Sequence, residues 1–422
     1  MGMKLLLCAL DAAASAQPPP PAAPTISTAC GAVSGSVAAL PLTGELAHRY
    51  AAIPYAAPPL GALRFRPPQP PACPWAGGGT LNGSAPMPMC MQPSGSGSED
   101  CLYLAVSKPA NHTPGVDAPL PVLVYFHGGN LISGAAPTSQ LDVLAVRTPG
   151  QLVTVGVAYR LNTIGFLATG DLAAEPGWVA NQGIQDTIAA LAWVQRNVAA
   201  FGGDAARVVI GGQSSGGTLI FALFSAPSAA GLFAGAISLS GSPNITQSAA
   251  AKHAQDAAIV AALGCAAPAS PAARVACLRA LNASDLARAT GPTQPSWGTP
   301  GIFGWELPAG IPAPPSGEAY AGIVHVDGAL LTAPFHEALA AQLVPAALII
   351  SNMEAEGDGG GDSIGARNAT YAQWRALLAA SFGAWGGAAR APPPPPPSAT
   401  PTAPRRSSRR TWPTTPSTPT WG

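Results

Sequence analysis

The sequence predicts a doubly wound α/β fold on a mostly parallel sheet, and three observations carry that expectation. Short apolar runs recur at residues 120–126, 151–159, 207–211, 235–239 and 344–350, and such runs suit strands covered on both faces, as parallel strands are. Between two of these runs Ile184, Ile188, Leu191 and Val198 fall at helical spacing, and Gly202-Gly203 supplies a stop. The third observation is Arg207-Val-Val-Ile-Gly-Gly-Gln-Ser-Ser-Gly-Gly217, an apolar run that passes straight into a Gly-x-Ser-x-Gly segment. That pattern marks a strained strand-to-helix turn with an exposed serine hydroxyl. Doubly wound folds bind ligands at the carboxyl ends of their strands, which is where this turn would set Ser214.

The remaining chain divides by composition. Lys4, the apolar run 5–10 and Ala14-Ser-Ala16 read as a signal peptide over 1–16, although Asp11 also allows a disordered Ala/Pro-rich N-terminus. A Pro-rich linker is expected over 17–27 and the folded domain over 28–386. Within that domain residues 248–322 break the strand–helix rhythm and read as an insertion over the sheet, either shaping the pocket or a plain surface excursion. From 387 to 422 six prolines (Pro392 to Pro397) lead into an Arg/Thr-rich tail without Leu, Ile, Val or Phe. Such a tail cannot join a core and reads as disordered. It fits either a proline-rich docking segment or a shifted reading frame in GC-rich coding sequence.

Charge excludes some functions. Lys plus Arg and Asp plus Glu both number 20, and only 9% of residues are charged. No basic stripe points to nucleic acid, and no apolar run is long enough to predict a membrane span. Beyond Cys8, six cysteines remain, an even number that suits three disulfides in an oxidising compartment. Spacing favours Cys90 with Cys101 and Cys265 with Cys277; Cys30 and Cys73 are left, and spacing does not establish their pairing. Sequons at Asn82, Asn111, Asn244, Asn282 and Asn368 would accept glycans in an exported chain. The expected location is secreted or the secretory-pathway lumen.

Two segments carry chemistry. In the Gly-x-Ser-x-Gly turn Ser214 is the candidate nucleophile; taken alone, the motif would equally fit an ordinary Gly/Ser turn. Pro121-Val-Leu-Val-Tyr-Phe-His-Gly-Gly-Asn130 adds a strand ending in a His-Gly-Gly loop, the pattern that supplies backbone N–H groups to an oxyanion hole. Acyl transfer through serine builds negative charge on the carbonyl oxygen, and one preorganised donor contributes roughly 3–4 kcal/mol. The candidate donors are Gly129, Asn130 and Ser215, with His127 read as loop support.

With these segments in view, the chain resembles the type B carboxylesterases, the carboxylesterase/cholinesterase family with the α/β-hydrolase fold. Ile53-Pro-Tyr-Ala-Ala-Pro-Pro-Leu-Gly61, Arg64-Phe-Arg-Pro-Pro68 and Trp75 match its first signature, and Ser98-Glu-Asp-Cys-Leu-Tyr-Leu104 its second. Tyr159-Arg-Leu161, Gly165-Phe-Leu167, Asn181-Gln-Gly-Ile-Gln-Asp186, Trp193-Val194, Phe201-Gly-Gly-Asp204 and Ser240-Gly-Ser-Pro-Asn244 follow in order. The agreement runs from about Thr28 to about Gly383. It implies a Cys90–Cys101 disulfide, structural ion pairs Arg64–Glu99 and Arg160–Asp186, and a triad acid just before a glycine after a strand. Glu356 fits that place better than Glu354. No metal or cofactor is implied, the partner is a small-molecule ester, and oligomeric state is left open.

Several positions depart from the family pattern. Gln213 stands where Glu is usual, and Asn130 replaces a third glycine, which narrows the site. The Cys90–Cys101 loop carries no tryptophan, which favours general carboxylic esters over choline esters. The triad order in this fold is serine, acid, histidine, yet His48, His112, His127, His253, His325 and His336 all precede Glu356. Loss of a triad member costs on the order of 10⁴–10⁶ in turnover in well-studied proteases. The family's last strands and closing helix are also unmatched beyond a helix expected at 371–385. The expectation is therefore a C-terminally incomplete domain of marginal stability. The function expected is serine hydrolysis of carboxylic esters. Alternatives are a catalytically silent binding relative or truncated product without the histidine, and an amidase or thioesterase on the same machinery.

Overall fold

The computed structural model describes residues 23–289, apart from 42, 76, 77, 244 and 246, together with residues 323–352. Ten described strands form one mixed sheet. Its N-terminal part is antiparallel: β1 (Ala23–Thr28) on β2 (Gly31–Ala39), β2 on β3 (Leu46–Pro54), and the two-residue β4 (Leu81–Asn82) alongside β2 in parallel. Next come β5 (Tyr103–Pro109), β6 (Leu120–Phe126), helix α1 (Thr138–Arg147) and β7 (Val153–Val157). They are followed by α2 (Asn162–Phe166), α3 (Gly170–Ala173), α4 (Gln182–Asn197), β8 (Gly203–Gln213), α5 (Ser215–Phe224) and β9 (Gly235–Leu239). Helices α6 (Ala249–Ala262), α7 (Pro271–Ala280), α8 (Ala283–Arg288) and α9 (Phe335–Ala340) precede β10 (Ala347–Ser351).

Across the sheet the order is β1-β2-β3-β5-β7-β6-β8-β9-β10. From β7 onward every neighbour is parallel, so the half that carries the Ser214 turn is the doubly wound part. Central strands explain why these runs were visible. All five residues of β7 are buried, and in β6 the buried Leu120, Val122, Val124 and Phe126 alternate with half-buried Pro121, Leu123 and Tyr125. Each fully buried aliphatic side chain stabilises by roughly 1.5–3 kcal/mol. Helix α4 buries Ile184, Leu191 and Val194 along one stripe, passes into a 3₁₀ turn at Val198–Phe201, and ends at Gly202.

One expectation is corrected. Residues 23–27, assigned to the Pro-rich linker 17–27, belong to β1, where Ile26 pairs with Val33 and both are buried. Pro24 is compatible with this because β1 is an edge strand, with one side free of ladder bonds. The signal peptide at 1–16, the rest of the linker, the helix expected at 371–385 and the tail 387–422 lie outside the described residues.

The described part of the insertion, residues 248–289, packs onto the body. Val260, Val275, Leu278 and Leu286 from α6–α8 meet Phe65, Ile164, Leu167 and Leu172 in a second apolar cluster, and Cys265–Cys277 ties α7 to the loop before it. Arg64 joins this layer to the body. Its guanidinium donates to Glu99 at 2.7 and 2.5 Å and to the carbonyls of Leu278, Arg279 and Leu281, which closes the carboxyl end of α7. At the opposite sheet edge Ile349 and Ile350 of β10 are 61% and 51% exposed.

Candidate active site

The site is built where the carboxyl ends of β6 and β8 lie side by side, with Phe126 opposite Gly212 and Gln213 opposite Leu239 of β9. Ser214 turns the chain out of β8 with φ 56° and ψ −123°. That backbone is costly for a residue with a Cβ and is typical of strained functional positions. Neighbouring bonds hold it: the Ser214 N–H donates to the Leu239 carbonyl at 2.9 Å, and the Ser214 carbonyl accepts the Thr218 N–H at 3.0 Å.

The flanking glycines are required by contact. A Cβ on Gly212 would fall 2.3 Å from the Gly216 carbonyl carbon, and one on Gly216 would fall 2.1 Å from the Phe126 carbonyl oxygen. Helix α5, buried along its whole length, can thus start directly against β6. Ser214 is left half-buried and Gln213 exposed at the mouth.

Residues 127–134 form the second wall. A Cβ on Gly128 would lie 3.1 Å from Ser214 Cβ and 2.7 Å from the Gln213 carbonyl oxygen, so this backbone touches the serine turn. Gly129, at φ +116°, closes a tight turn in which its carbonyl accepts the N–H groups of Ile132 and Ser133, both at 3.0 Å. Asn130 and Leu131 follow at φ 60° and 57°. Among the described residues no acceptor takes the N–H of Gly129, Asn130 or Ser215. The Leu131 N–H instead donates to Ser215 Oγ at 3.1 Å, and its carbonyl accepts the Asn162 N–H at 2.6 Å. Asn130 is exposed, so its side chain projects from the loop where a third glycine would leave space.

His127 lies beneath this loop. Its Nδ1 is 2.9 Å from the Gly128 carbonyl, its ring stacks on Tyr159 at 4.5 Å, and the Tyr159 hydroxyl donates to its carbonyl at 2.6 Å. Burial pushes its pKa down to about 4, so the imidazole is neutral at physiological pH. Two further residues brace the loop and carry no sequence signal of their own. Asn162 Nδ2 donates to the Met91 and Ile132 carbonyls at 2.7 and 3.3 Å. Gln92 Nε2 donates to the Cys90 and Gly134 carbonyls, while its Oε1 accepts the Gly134 N–H.

The other expected residues are placed as follows. Arg160 and Asp186, 1% and 0% exposed in their side chains, form a bidentate pair at 2.7 Å, with the Arg160 N–H also donating to Asp186. Cys90–Cys101, Cys265–Cys277 and Cys30–Cys73 are all disulfide-bonded. Glu354 and Glu356 lie outside the described residues. No hydrogen bond among the described residues involves the Ser214 hydroxyl. His48 sits on β3, four strands from β8; His325 is fully buried, with neither ring nitrogen partnered among the described residues; His336 is exposed on α9. Among the described residues no cluster of His, Cys, Asp and Glu could hold a metal ion, and no helix is long and apolar enough to cross a membrane.

At Ser214, a strained strand-to-helix turn thus lies against a glycine loop, and among the described residues the N–H groups of Gly129, Asn130 and Ser215 have no acceptor. Residues 22–370 match the model of the carboxylesterase family. Over 282 residues the chain is 41% identical to carboxylesterase 3 of Pongo abelii, covering 62% of this chain and 47% of that protein. It is 40% identical over 236 residues to pyrethroid hydrolase Ces2a of Mus musculus, covering 52% and 40%. Among solved structures, a PNB esterase superposes with a TM-score of 0.67 at 30% identity, over 85% of this chain and 69% of that one. The Geobacillus stearothermophilus carboxylesterase EST55 at pH 6.2 gives 0.64 at 30%, over 80% and 63%. The chain spans about half the length of the curated relatives it matches.

Proposed function

The chain belongs to the carboxylesterase family, and from that membership we propose that it hydrolyses small carboxylic esters through an acyl-enzyme on Ser214. The observation that carries the reading is the left-handed Ser214 turn set against the unpaired N–H groups of Gly129, Asn130 and Ser215. Ser214 Oγ attacks the ester carbonyl carbon, and the negative charge that develops on the carbonyl oxygen is taken up by those three donors. The C–O bond to the alcohol then breaks, the proton lost by Ser214 leaves with the alcohol, and water repeats the attack, returning a proton to Ser214 Oγ as the acid is released. Glu356 is the acid of the triad in this reading. The triad order of the fold puts the base after the acid, so none of the six histidines is assigned to it. His127 is excluded on its own geometry, since it supports the loop from beneath.

Export belongs to the same proposal: a leader at 1–16, glycans, and secretion or residence in the secretory-pathway lumen. Three disulfides support it, as do the sequon residues Asn82, Asn111 and Asn282, all exposed.

Release of p-nitrophenolate from p-nitrophenyl butyrate, abolished by Ser214→Ala, is the expected result. Covalent labelling of Ser214 by a fluorophosphonate, read by peptide mass, is expected alongside it. Equal release by the Ser214→Ala chain, with no label on residue 214 of the unmodified one, overturns the reading.

A further inference from the structure

We propose that Gln92, set in the ring closed by the Cys90–Cys101 disulfide, is a positioning residue that holds the oxyanion loop in its working shape. This rests on the acyl-transfer reading above. The carboxamide both donates and accepts, and both of its N–H donors are used. Its Nε2 donates to the Cys90 carbonyl at 2.7 Å and to the Gly134 carbonyl at 3.0 Å, while its Oε1 accepts the Gly134 N–H at 2.8 Å. The side chain thus pairs with both backbone groups of one residue as a neighbouring strand would, although residues 90–102 contribute no strand to the sheet. Gln92 and Cys90 are buried and Gly134 is half-buried, so removing the carboxamide leaves the Cys90 carbonyl in particular without a bond inside the protein.

Gly134 is the point where a hold matters. A Cβ there would fall 2.3 Å from the Gly128 carbonyl oxygen and 2.5 Å from His127 Nδ1, so its backbone is pressed against the start of the loop. Gly128 in turn touches Ser214 and Gln213. The preceding residue, Ser133, is bound through its N–H to the Gly129 carbonyl. Contact therefore runs from Gln92 through Gly134 to Gly128 and Gly129, next to the nucleophile. The first end of the loop is fixed by β6 and by the Tyr159–His127 bond, and its middle by Ser215 and Asn162 acting on Leu131. Gln92 supplies the clamp at the far end, before residues 135–137 run free of regular structure into α1. An oxyanion hole works through donors fixed before the charge arrives, so loss of this clamp should weaken the transition state more than substrate binding.

The disulfide gives the clamp its reference point. Cys90 and Cys101 are both buried, and the ring between them carries Met91, whose carbonyl accepts from Asn162, and Gln92 itself. Two amide side chains thus fasten this ring and the oxyanion loop to each other: Asn162, at the start of α2, binds the Met91 and Ile132 carbonyls, and Gln92, in the ring, binds Gly134.

Gln92→Ala and Gln92→Glu in the 422-residue chain test the proposal by two readouts, amide hydrogen exchange over 128–134 and Ser214-dependent ester turnover. For Gln92→Ala, exchange at Gly134 and Ser133 should quicken on the order of tenfold while amides of β7 and β8 keep their wild-type rates. Turnover should lose about ten- to a hundredfold in kcat, with KM within about twofold. Gln92→Glu sets a carboxylate oxygen against the Cys90 and Gly134 carbonyls. Its defect should therefore shrink as pH falls from about 8 to about 5, when a protonated carboxyl can donate again. Gln92→Ala should show no such recovery. Unchanged exchange over 128–134 overturns the proposal, and so does exchange that quickens equally throughout β7 and β8. If the loop loosens as expected while no Ser214-dependent turnover exists in any form of the chain, the clamp stands and the acyl-transfer reading falls.

Discussion

Tyr159 and His127 are joined twice: their rings stack 4.5 Å apart at 17°, and the tyrosine hydroxyl donates to the histidine's own carbonyl. One side chain from the end of β7 thereby fixes both the ring and the backbone of the residue that opens the oxyanion loop. Tyr159→Phe keeps the stack and removes the donor, leaving a buried carbonyl unsatisfied. The chain should lose about 1–3 kcal/mol, read from the urea unfolding midpoint, and Tyr159→Leu should lose more. Equal midpoints for Phe and Tyr would show that the hydroxyl contributes nothing to holding the loop.

Acid sensitivity follows from two buried imidazoles. Burial lowers the pKa of His127 to about 4; burial, then the charges of Lys252 and His253, lowers that of His325 to about 3. Both folded values lie below the unfolded value near 6.5, so the fold favours the neutral ring. Their contribution is complete above about pH 6.5 and is lost as pH falls toward 4 for His127 and 3 for His325. The slope is at most about 1.4 kcal/mol per pH unit for each. Urea midpoints between pH 7 and 4.5 should decline, and His325→Leu should decline less steeply. A slope unaltered by His325→Leu would remove this histidine from the account.

Gly128 has no room for a methyl group, since a Cβ would meet the Gln213 carbonyl oxygen at 2.7 Å and Ser214 Cβ at 3.1 Å. Gly128→Ala should keep the sheet intact by circular dichroism. Labelling of Ser214 by a fluorophosphonate should slow by on the order of 10–10²-fold. Wild-type labelling by this variant would mean that the loop and the serine turn move independently.

The Arg160–Asp186 pair is fully buried and bidentate. Asp186→Asn strands a buried guanidinium and should cost about 3–5 kcal/mol, whereas Arg160→Met with Asp186→Leu should cost clearly less than the two single changes summed. A double-mutant cycle on unfolding free energies measures the coupling, and additive values would rule out a specific pair.

Legibility in the sequence followed burial. β6 and β9 run over the residues the sequence predicts, because strands covered on both faces leave unbroken apolar runs. β8 starts at Gly203, four residues before the run at Arg207, since Gly203 pairs with Leu120 beyond a register shift that no hydropathy pattern records. The antiparallel strands were harder. β2 reads Gly-Ala-Val-Ser-Gly-Ser-Val-Ala-Ala and buries only Val33 and Gly35, and β1 was hidden behind the composition of the Pro-rich segment before it. In the site, the serine turn and the loop glycines were legible because backbone geometry forces their identity. Gln92 and Asn162 were not, because a carboxamide that braces a backbone works through partners far along the chain, and no local spacing encodes them. The one clue to Gln92 was its place two residues after Cys90.

The torsion at Ser214 has a thermodynamic corollary. With φ 56° and ψ −123° the residue occupies a region that glycine enters freely and that costs other residues of order 1–3 kcal/mol. Ser214→Gly should therefore raise the unfolding free energy while removing the Ser214 hydroxyl, and Ser214→Ala should leave the strain in place. If stability were the sole criterion, glycine would be preferred at position 214. The serine there marks a compromise in which part of the marginal stability of the domain is given up to keep one hydroxyl at the head of the turn.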